Sequence, residues 1–488
     1  MPEFHAEPYL YLPTVTHTSA LIAWGAFYFR VSSKDKWKLV EDEDLKFIHP
    51  PRKDSIGACS APYGPAHVEV YDVRGRVVAA AHTEAANHCW IAGLEPDTEY
   101  TYKVLIKGQE WAEGERWDWS PAARALVQGG GRYDNRFRTH PDPHAPAALT
   151  FAVIGDFGVG VKKLSDTRRQ QQVADALRQA VETENVRLVL TTGDNIYATT
   201  KLLGIPIGAS GDEDDDWFFT YFQPYRYVVN RVPVYPSIGN HDADESEGCD
   251  DRGQVEDNFY LCERLAGEEG AGRSSFKPGL FYRFGYGSDI EFTCIDTSKE
   301  AFFRGHRLFE LPKHWAFLSA AFPNVDDQRI WRIPFAHHPP FSAGPRHHNT
   351  QSMERLLPLF QRSGVKAMFS GHEHNFQHSR VDGIDYFVTG GGGRTRSGTP
   401  DQFDAAHTES WSAECHFLLV SIDGDRMCVR AIAESSGQNA PLSDVIRRNP
   451  QGEVVTRRMD VLHSRDASRP ESVSTDLGAQ GEMSERGS

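Results

Sequence analysis

The chain has 488 residues, which is enough for more than one domain and for large buried cores. Lys and Arg total 52 against 68 Asp and Glu, and the resulting net charge of −16 argues against a nucleic-acid partner. The sequence contains no run of about 18 apolar residues, so it predicts no membrane-spanning helix and no membrane partner.

The N-terminal residues and the cysteines indicate the cellular compartment of the protein. Residues 1–12 lack a cationic start followed by an apolar core, so we expect no signal peptide. The seven cysteines are odd in number and follow no spacing pattern, although Cys249 and Cys262 could pair within a loop. This usage favours a reducing compartment. The sequence therefore predicts a cytoplasmic protein, with export left open, and it does not indicate an oligomeric state.

Residues 1–141 have the pattern of an all-β region. Residues 19–24 form an apolar strand that contains a tryptophan. The turn and strand at 93–104 resemble the signature of a fibronectin type III-like sandwich, with Tyr100 in the corner position. We therefore expect an N-terminal fibronectin type III-like domain.

Composition divides the rest of the chain. A Pro-rich linker at 142–147 precedes a second domain over 148–462, and the polar residues 463–488 are predicted to be disordered. Within the second domain, residues 444–455 are predicted to form a hairpin. The segment at 109–132, in the first domain, is an insertion of no clear class.

The second domain repeats one arrangement, in which a short apolar strand is followed at once by a glycine or a polar side chain. The motifs are Gly155-Asp156-Phe157-Gly158, Gly193-Asp194-Asn195-Ile196-Tyr197, Gly239-Asn240-His241-Asp242, Phe335-Ala336-His337-His338-Pro339 and Gly371-His372-Glu373-His374. The strands that lead into them are predicted at 149–154, 187–192, 232–238, 330–336 and 365–370. A helix predicted at 165–184 makes a strand–helix–strand unit with the first two strands, which indicates an α/β fold.

The motifs supply carboxylates, a phenol, an amide and imidazoles. Side chains that follow strand ends gather at one edge of the sheet, where α/β proteins bind ligands. This donor set is enough for two metal ions with one carboxylate bridging them, and a metal pair about 3.5–4 Å apart is a common device for cleaving phosphate esters. Nitrogen and oxygen donors without a thiolate favour Fe, Zn or Mn.

Other interpretations of single segments are weaker. The glycines Gly155, Gly158 and Gly160 have the reverse of the dinucleotide-binding spacing. The four-glycine run at 390–393 lacks the Lys-Ser/Thr of a phosphate loop, so a flexible turn is predicted there. The acidic run at 211–216 is predicted to be a solvated loop, although its position permits a gating loop. No G-x-S-x-G or C-x-x-C motif occurs, so no covalent nucleophile is predicted.

In order and residue type, the five motifs resemble the purple acid phosphatases of the calcineurin-like metallophosphoesterase superfamily. The family pattern is G-D-x-G, G-D-x-x-Y, G-N-H-D/E, V-x-x-H and G-H-x-H, and four of the five match without a substitution. In the fourth, Pro334 stands where the family usually has Val. Residues 371–377 and 387–392 are similar to the tartrate-resistant, mammalian-type branch, so the resemblance covers residues 148–435. It implies a metallophosphoesterase sandwich of sheets flanked by helices.

The resemblance also implies a set of metal ligands. The first metal would be held by Asp156, Asp194, Tyr197 and His374. The second would be held by Asp194, Asn240, His337 and His372, with Asp194 as the bridge. The family's His-x-Pro order favours His337 over His338 as the ligand. In the family the first metal is Fe(III) and the second is Fe(II), Zn or Mn. A phenolate suits a trivalent ion, and neutral amide and imidazole donors suit a divalent one.

The implied reaction is hydrolysis of a small phosphorylated substrate, a phosphate monoester, by in-line attack of a metal-bound hydroxide. His241 lies beside the ligand Asn240 and would protonate the leaving group. A second histidine outside the metal shell would be His347 or His348, and the spacing leaves the two open. We therefore predict an acid phosphatase with two metal ions.

Two other functions remain open. A phosphodiesterase or nucleotide pyrophosphatase would use the same metals, because the pocket walls rather than the ligands decide between these substrates. A metal-free binding protein that keeps the β-sandwich for contacts is the alternative of another class. Such proteins usually lose metal ligands, and all of the proposed set is present here.

Overall fold

The computed structural model of the protein describes most of the chain. The described residues are 3–31, 37–39, 64–112, 133–160, 168–197, 200–202, 205–207, 217–243, 252–261, 281–298, 312–324, 330–396, 398–433, 446–448, 454–456 and 460–464. Outside them lie the acidic run at 211–216, residues 113–132 of the predicted insertion, the candidate pair Cys249 and Cys262, and residues 465–488 of the predicted tail.

The N-terminal part contains nine strands within the described residues. They are β1 Glu3–Val15, β2 Ser19–Val31, β3 Trp37–Leu39, β4 Ala66–Tyr71, β5 Val77–Thr83, β6 His88–Ala92, β7 Glu99–Ile106, β8 Gln109–Glu110 and β9 Arg136–Arg138. One sheet has the order β1-β2-β3 with β6 also on β2, and the other has the order β5-β4-β7-β8 with β9 also on β7. One buried cluster includes Trp24 from the first sheet and Val68 and Val104 from the second. The region is therefore all-β, with apolar side chains of both sheets in a common core.

Tyr100 fixes the turn that precedes β7. Its hydroxyl oxygen accepts a hydrogen bond from the backbone N–H of Glu95, 2.9 Å away. A tyrosine hydroxyl bonded to backbone a few residues upstream is typical of the corner of a β-sandwich.

The second part of the chain mixes strands and helices. Its strands are β10 Leu149–Ile154, β11 Val186–Thr191, β12 Thr200–Leu202, β13 Ile205–Ile207, β14 Val234–Tyr235, β15 Tyr282–Tyr286, β16 Ile290–Ile295, β17 Trp331–Ala336, β18 Ala367–Ser370, β19 Phe376–Val381, β20 Ile384–Thr389, β21 Thr408–Ser412, β22 His416–Asp423, β23 Arg426–Ala433, β24 Ile446–Arg448, β25 Val454–Thr456 and β26 Asp460–Ser464. Its helices are α1 Arg168–Thr183, α2 Arg226–Val229, α3 Arg252–Asn258, α4 Pro312–Ala321, α5 Gln351–Glu354 and α6 Leu357–Arg362, with a π-helical turn at Phe218–Phe222.

Two large sheets enclose the core of this part. One has the order β14-β11-β10-β22-β23-β26, and the other has the order β15-β16-β17-β18-β20-β19-β21-β24-β25. Phe151 of β10 meets the rings of Phe292 and Phe369 from the second sheet edge-on, at centroid distances of 5.2 and 6.0 Å. The two sheets are therefore layers of one sandwich with an apolar interior.

Helices cover the outer faces of the sandwich. On one side, Val173 and Leu177 of α1 are buried in the same cluster as residues of the six-stranded sheet. On the other, Leu318 of α4 and Phe360 of α6 are buried together with Met368 of β18. This is the predicted arrangement of a sheet sandwich flanked by helices. Within the described residues, every helix is too short or too polar to cross a lipid bilayer.

Most predicted elements of the second part are present, with differences at their ends. Strands β10 and β11 pair in parallel on either side of α1 in sequence, as the predicted strand–helix–strand unit requires. Strand β14 covers Val234–Tyr235 rather than the predicted 232–238. Pro233 and Pro236 flank it, and proline has no N–H to donate to a ladder.

The C-terminal strands extend the two sheets. Strands β24 and β25 pair antiparallel and form the hairpin predicted at 444–455. Strand β26 pairs with β23 and ends at Ser464, so the predicted start of the tail at residue 463 falls inside a strand.

Aromatic contacts join the N-terminal strands to the second part. The ring centroids of Tyr9 and Phe27 lie 4.5 and 5.3 Å from that of Phe222 in the π-helical turn. The Tyr11 hydroxyl donates to the backbone carbonyl of Asn258 at 2.9 Å. The two parts therefore share a buried apolar interface rather than a solvated linker alone.

Candidate metal centre

Five loops meet where strands of both sheets end. The loops after β10, β11 and β14 leave the six-stranded sheet, and those after β17 and β18 leave the nine-stranded sheet. Backbone hydrogen bonds tie them together. The N–H of Asp156 donates to the carbonyl of Gly193 at 3.0 Å, and the N–H of Gly371 donates to that of His337 at 2.9 Å. All five sequence motifs are thus brought to one place.

Backbone strain marks three of the proposed ligands. Asp156, Asp194 and His372 have φ values of 54°, 50° and 72°. Residues other than glycine seldom adopt this left-handed region, and such strain concentrates where a side chain must be aimed at a function. Gly193 has a φ of 86°, and a Cβ there would lie 2.7 Å from the backbone nitrogen of Gly239, so only glycine fits between these motifs.

The first group of donors contains Asp156, Tyr197 and His374. The Tyr197 hydroxyl lies 3.0 Å from Nε2 of His374 and 3.4 Å from Oδ1 of Asp156. Nε2 of His374 is 3.3 Å from the same Oδ1. One ligand atom from each of Asp156, Asp194 and His374 lies within 4.8 Å of the others, and all of these side chains are buried.

The second group contains Asn240, His337 and His372. Nε2 of His337 lies 2.9 Å from Oδ1 of Asn240 and 3.1 Å from Nδ1 of His372. Oδ1 of Asn240 is 2.9 Å from the same Nδ1. Oδ1 of Asp194 is 3.5 Å from Nε2 of His337, so Asp194 borders both groups.

The second group brings acceptor atoms face to face. Nδ1 of His337 donates its N–H to the carbonyl of Thr192 at 2.8 Å, and burial lowers the pKa of His337, so the ring is neutral and Nε2 carries a lone pair. That lone pair faces Oδ1 of Asn240, which has no proton to donate, at 2.9 Å. Burial holds the pKa of His372 well below its usual range, so this ring is neutral too. Facing lone pairs repel each other unless a cation lies between them. The donor set therefore fits a metal ion, with the Thr192 carbonyl orienting one ligand.

Electrostatics in the first group point the same way. Burial and the neighbouring Asp194 raise the pKa of Asp156 well above its usual range. Burial also works against ionised Asp194, but its surroundings, which include a hydrogen bond from the backbone N–H of His241, outweigh burial and lower the pKa of Asp194. Burial and both carboxylates raise the pKa of Tyr197 well above its usual range. A bound cation would favour the ionised form of all three side chains.

His241 lies beside both groups without joining them. Its backbone N–H donates to Oδ1 of Asp194 at 3.0 Å, and its ring centroid is 4.5 Å from that of Tyr197. The side chain is partly exposed. The His241 ring is therefore placed to reach a small molecule that binds at the centre.

The two histidines that the sequence left open have different surroundings. The His347 ring centroid lies 3.9 Å from that of His372, and the His347 backbone N–H donates to Oε2 of Glu373 at 2.6 Å. The His348 side chain is 48% exposed, and its Nε2 is 3.0 Å from Oδ1 of Asp401. The structure thus brings His347 against the centre and directs His348 to a surface aspartate.

His338 adds an imidazole whose role the sequence did not resolve. Its backbone N–H donates to Oγ1 of Thr297 at 3.2 Å, and its Nδ1 lies 2.9 Å from the same oxygen. One nitrogen of His338 lies within 4.8 Å of ligand nitrogens of His337 and His372. His338 therefore borders the second group, with its backbone and ring held by Thr297.

Asp242 holds two of the motifs together, a role that sequence reasoning missed. Its Oδ1 accepts the backbone N–H groups of Asn195 and Ile196 at 2.9 and 3.1 Å. Its Oδ2 accepts the N–H of Gly239 at 2.8 Å. The only signal in the sequence was its place as the last residue of the third motif.

The four-glycine run at 390–393 is a packed segment and not the flexible turn predicted from the sequence. A Cβ on Gly390 would lie 2.2 Å from the carbonyl oxygen of Glu373. A Cβ on Gly392 would lie 2.5 Å from that of Gly155, which accepts the Gly392 N–H at 3.0 Å. The glycines let the loop after β20 close onto the loops that carry metal-ligand candidates.

Comparison with known proteins agrees with this geometry. Residues 149–376 match the family of calcineurin-like phosphoesterases. The chain is 26% identical over 317 residues to a phosphoenolpyruvate phosphatase of Allium cepa, a match that covers 62% of this chain and 53% of the relative. It is also 26% identical over 267 residues to purple acid phosphatase 4 of Arabidopsis thaliana, covering 51% of this chain and 70% of the relative. The chain thus spans about half the length of the first of these relatives.

Two solved structures share the fold over most of the chain. The purple acid phosphatase PPD1 from yellow lupin seeds aligns with a TM-score of 0.56 at 16% identity, covering 91% of this chain and 74% of that one. PhoD aligns with a TM-score of 0.57 at 13% identity, covering 94% and 93%. The predicted α/β fold class is confirmed. All five motifs lie within residues 149–376, the stretch that matches the calcineurin-like phosphoesterases.

Proposed function

We propose that the protein is a metal-dependent phosphatase that hydrolyses phosphate monoesters with two metal ions. The observation that carries the proposal is the pair of donor groups that meet at Asp194, one of which brings the Nε2 lone pair of His337 within 2.9 Å of the acceptor Oδ1 of Asn240. The likeness to a purple acid phosphatase and to a phosphoenolpyruvate phosphatase supports the reaction class. When bound, the metals would supply positive charge to the phosphate oxygens and activate water for attack.

The donor chemistry assigns a metal to each group. Asp156, Tyr197 and His374 would hold the first ion, and Asn240, His337 and His372 the second, with Asp194 shared. A phenolate donor suits Fe(III) in the first site, and neutral nitrogen and oxygen donors suit Fe(II), Zn or Mn in the second.

Two histidines would act on the substrate. The His241 backbone is held by Asp194, and its partly exposed ring beside Tyr197 would protonate the leaving oxygen, a contribution of about 10²–10⁴-fold. His347 lies against the His372 ring and would contact the phosphoryl oxygens from the other side of the second group. His348 is tied to Asp401 and has no part in this scheme.

Metal analysis together with turnover tests the proposal. We expect two metal ions per chain and faster hydrolysis of p-nitrophenyl phosphate than of bis(p-nitrophenyl) phosphate. Asp194→Asn should lose both ions and the activity together, because its carboxylate borders both groups. Asp382→Asn removes an exposed carboxylate from the β19–β20 turn and should change neither.

The outcomes separate the alternatives. Faster turnover of the diester would favour a phosphodiesterase on the same metals. A wild-type protein that binds no metal would support a metal-free binding protein instead. Asp194→Asn protein that keeps one ion at full occupancy would exclude the bridging role.

We also infer that the N-terminal part is a fibronectin type III-like module. Its two sheets with a common core and the bond between Tyr100 and Glu95 support this assignment. An experimental structure of the full chain with a different pairing of the N-terminal strands would contradict it.

A further inference from the structure

One arginine lies against the metal centre although no ligand motif contains it. Arg396 follows the four-glycine run, and its backbone N–H donates to the carbonyl of His374 at 3.1 Å. Its charge acts on both donor groups, since it favours ionised Asp156 and disfavours protonated His372. Its side chain is 20% exposed and so remains accessible to a ligand.

The guanidinium of Arg396 is only partly engaged by its neighbours. Its Nη2 lies 3.3 Å from Nε2 of His347. Its Nε lies 3.6 Å from Oε1 of Glu373, too far for a hydrogen bond, and both of these buried atoms lack a hydrogen-bond partner among the described residues. Glu373 instead directs its other oxygen to the backbone N–H of His347. Since a guanidinium carries five N–H donors, several remain for a ligand.

Two further arginines neighbour the segments that surround Arg396. Arg346 is exposed next to His347, and its charge acts on both His347 and Glu373. Arg169 at the start of α1 donates to Oγ1 of Thr395 at 3.1 Å. A protein with a net charge of −16 repels anionic substrates at long range, and arginines from three segments around Arg396 would oppose this repulsion locally.

We propose that Arg396 makes the site selective for phosphorylated substrates whose leaving group carries a second anionic group, a carboxylate or a phosphate. The inference rests on the proposed function. The transferred phosphoryl group would be held by metals between the two donor groups. The contacts of Arg396 are with His347, Glu373 and the His374 backbone, so in the proposed complex its remaining N–H groups would bind the leaving group of the substrate. A guanidinium fork matches the oxygens of a carboxylate or a phosphate in bidentate geometry.

Binding of non-hydrolysable phosphonates to the metal-loaded full chain tests this directly. Ethylphosphonate carries one anionic group, phosphonoacetate adds a carboxylate, and methylenediphosphonate adds a second phosphonate. By calorimetry, we expect the wild type to bind at least one of the two larger ligands about 10- to 100-fold more tightly than ethylphosphonate. Selectivity for phosphonoacetate alone would identify a carboxylate as the second group, and selectivity for methylenediphosphonate alone would identify a phosphate.

Variants assign the selectivity to the side chain. Arg396→Gln should remove most of the difference in affinity, and Arg396→Lys should keep part of it, because Lys retains the charge without the fork. Arg394→Gln is the matched control, since it removes the same charge from an exposed position two residues away and should keep the selectivity. His347→Ala should lower turnover but keep the selectivity, which separates direct contact from an effect through His347. The metal content of each variant is measured in parallel.

Two results would overturn the inference: a wild type without selectivity, or a loss in Arg394→Gln as large as that in Arg396→Gln. Selective binding by a wild type that hydrolyses no phosphate ester would refute the proposed function and leave the anion selectivity of Arg396 standing.

Discussion

Tyr197 links the identity of the first metal to one side chain. Burial and two carboxylates raise the pKa of this phenol, so only a highly charged ion would ionise it. If that ion is Fe(III), charge transfer from the phenolate should give the aerobic protein a violet-to-pink absorption, as the family resemblance implies. Tyr197→Phe should bleach the band and should lower turnover less than Asp194→Asn, since three ligands to the first metal remain.

Iron analysis and visible spectra of the wild type and the variant provide the measurement. Tyr282→Phe is the control, because it removes a buried hydroxyl that donates to the carbonyl of Pro236 and belongs to neither donor group. An active, iron-loaded protein whose spectrum does not depend on Tyr197 would refute the phenolate assignment and leave the phosphatase proposal intact.

Residues whose role follows from a local pattern could be predicted, and those whose role follows from distant contacts could not. Asp156 and His372 each come directly after a strand and a glycine, and the resemblance of these short motifs to the purple acid phosphatases implied their role as ligands. Arg396 lies 49 positions from its partner His347 and belongs to no motif, so no spacing rule identifies it. The choice between His347 and His348 was likewise open, because adjacent residues on a loop differ only in the direction of their side chains.

At the scale of elements, long apolar strands were predicted well and turns were not. Strand β10 covers the predicted residues 149–154, because a largely apolar run buried between sheet and helix has one stable arrangement. The four-glycine run was predicted to be a flexible turn because composition alone does not show which backbones approach it. A glycine in a sequence indicates a backbone that can adopt many conformations. Only the fold shows whether the missing side chain instead lets another backbone segment pack closely against it.

Gly390→Ala tests the packing of that run. The added Cβ would lie 2.2 Å from the carbonyl oxygen of Glu373 and 2.9 Å from Oδ2 of Asp156, so the loop after β20 must move away from the first donor group. We expect the free energy of unfolding to fall by about 1–3 kcal/mol and metal affinity to fall with it. Gly253→Ala in α3 is the control, because a Cβ there meets nothing within 4 Å. Unchanged stability and metal binding in Gly390→Ala would show that the loop is as adaptable as its sequence suggests.

For the whole molecule, buried neutral histidines should limit stability in acid. The His416 ring lies between the carbonyl of Glu414 at 2.9 Å and the hydroxyl of Thr389 at 3.1 Å, and burial lowers its pKa to about 4. The unfolded chain, with a His pKa of about 6.5, takes up a proton first as the pH falls. Stability should therefore be complete above about pH 6.5 and should decline towards about pH 4, by about 3 kcal/mol for this residue.

Denaturant unfolding of the wild type and His416→Gln across this pH range provides the measurement. The variant should show a shallower decline, because glutamine does not titrate. Parallel curves for the two proteins would mean that His416 is already protonated in the folded state or that other groups dominate acid unfolding.

The two parts of the chain should unfold together, because aromatic side chains from each part pack against the other part. Phe222 is buried, and its ring contacts Tyr9 and Phe27 of the N-terminal sheet. The same segment reaches the metal centre, since the Tyr225 ring lies 5.3 Å from that of Phe157 in the first ligand motif. Metal binding should therefore raise the unfolding temperature of the whole chain.

Phe222→Ala tests this coupling, because it leaves a cavity at the junction and should lower the free energy of unfolding by about 3–5 kcal/mol. Calorimetry should show a single transition, shifted as a whole to lower temperature. Val73→Ala, at a side chain 79% exposed on the turn after β4, should change stability by less than about 0.5 kcal/mol. Two separate transitions, of which metal or Phe222→Ala moves only one, would show that the N-terminal strands fold as a unit independent of the second part of the chain.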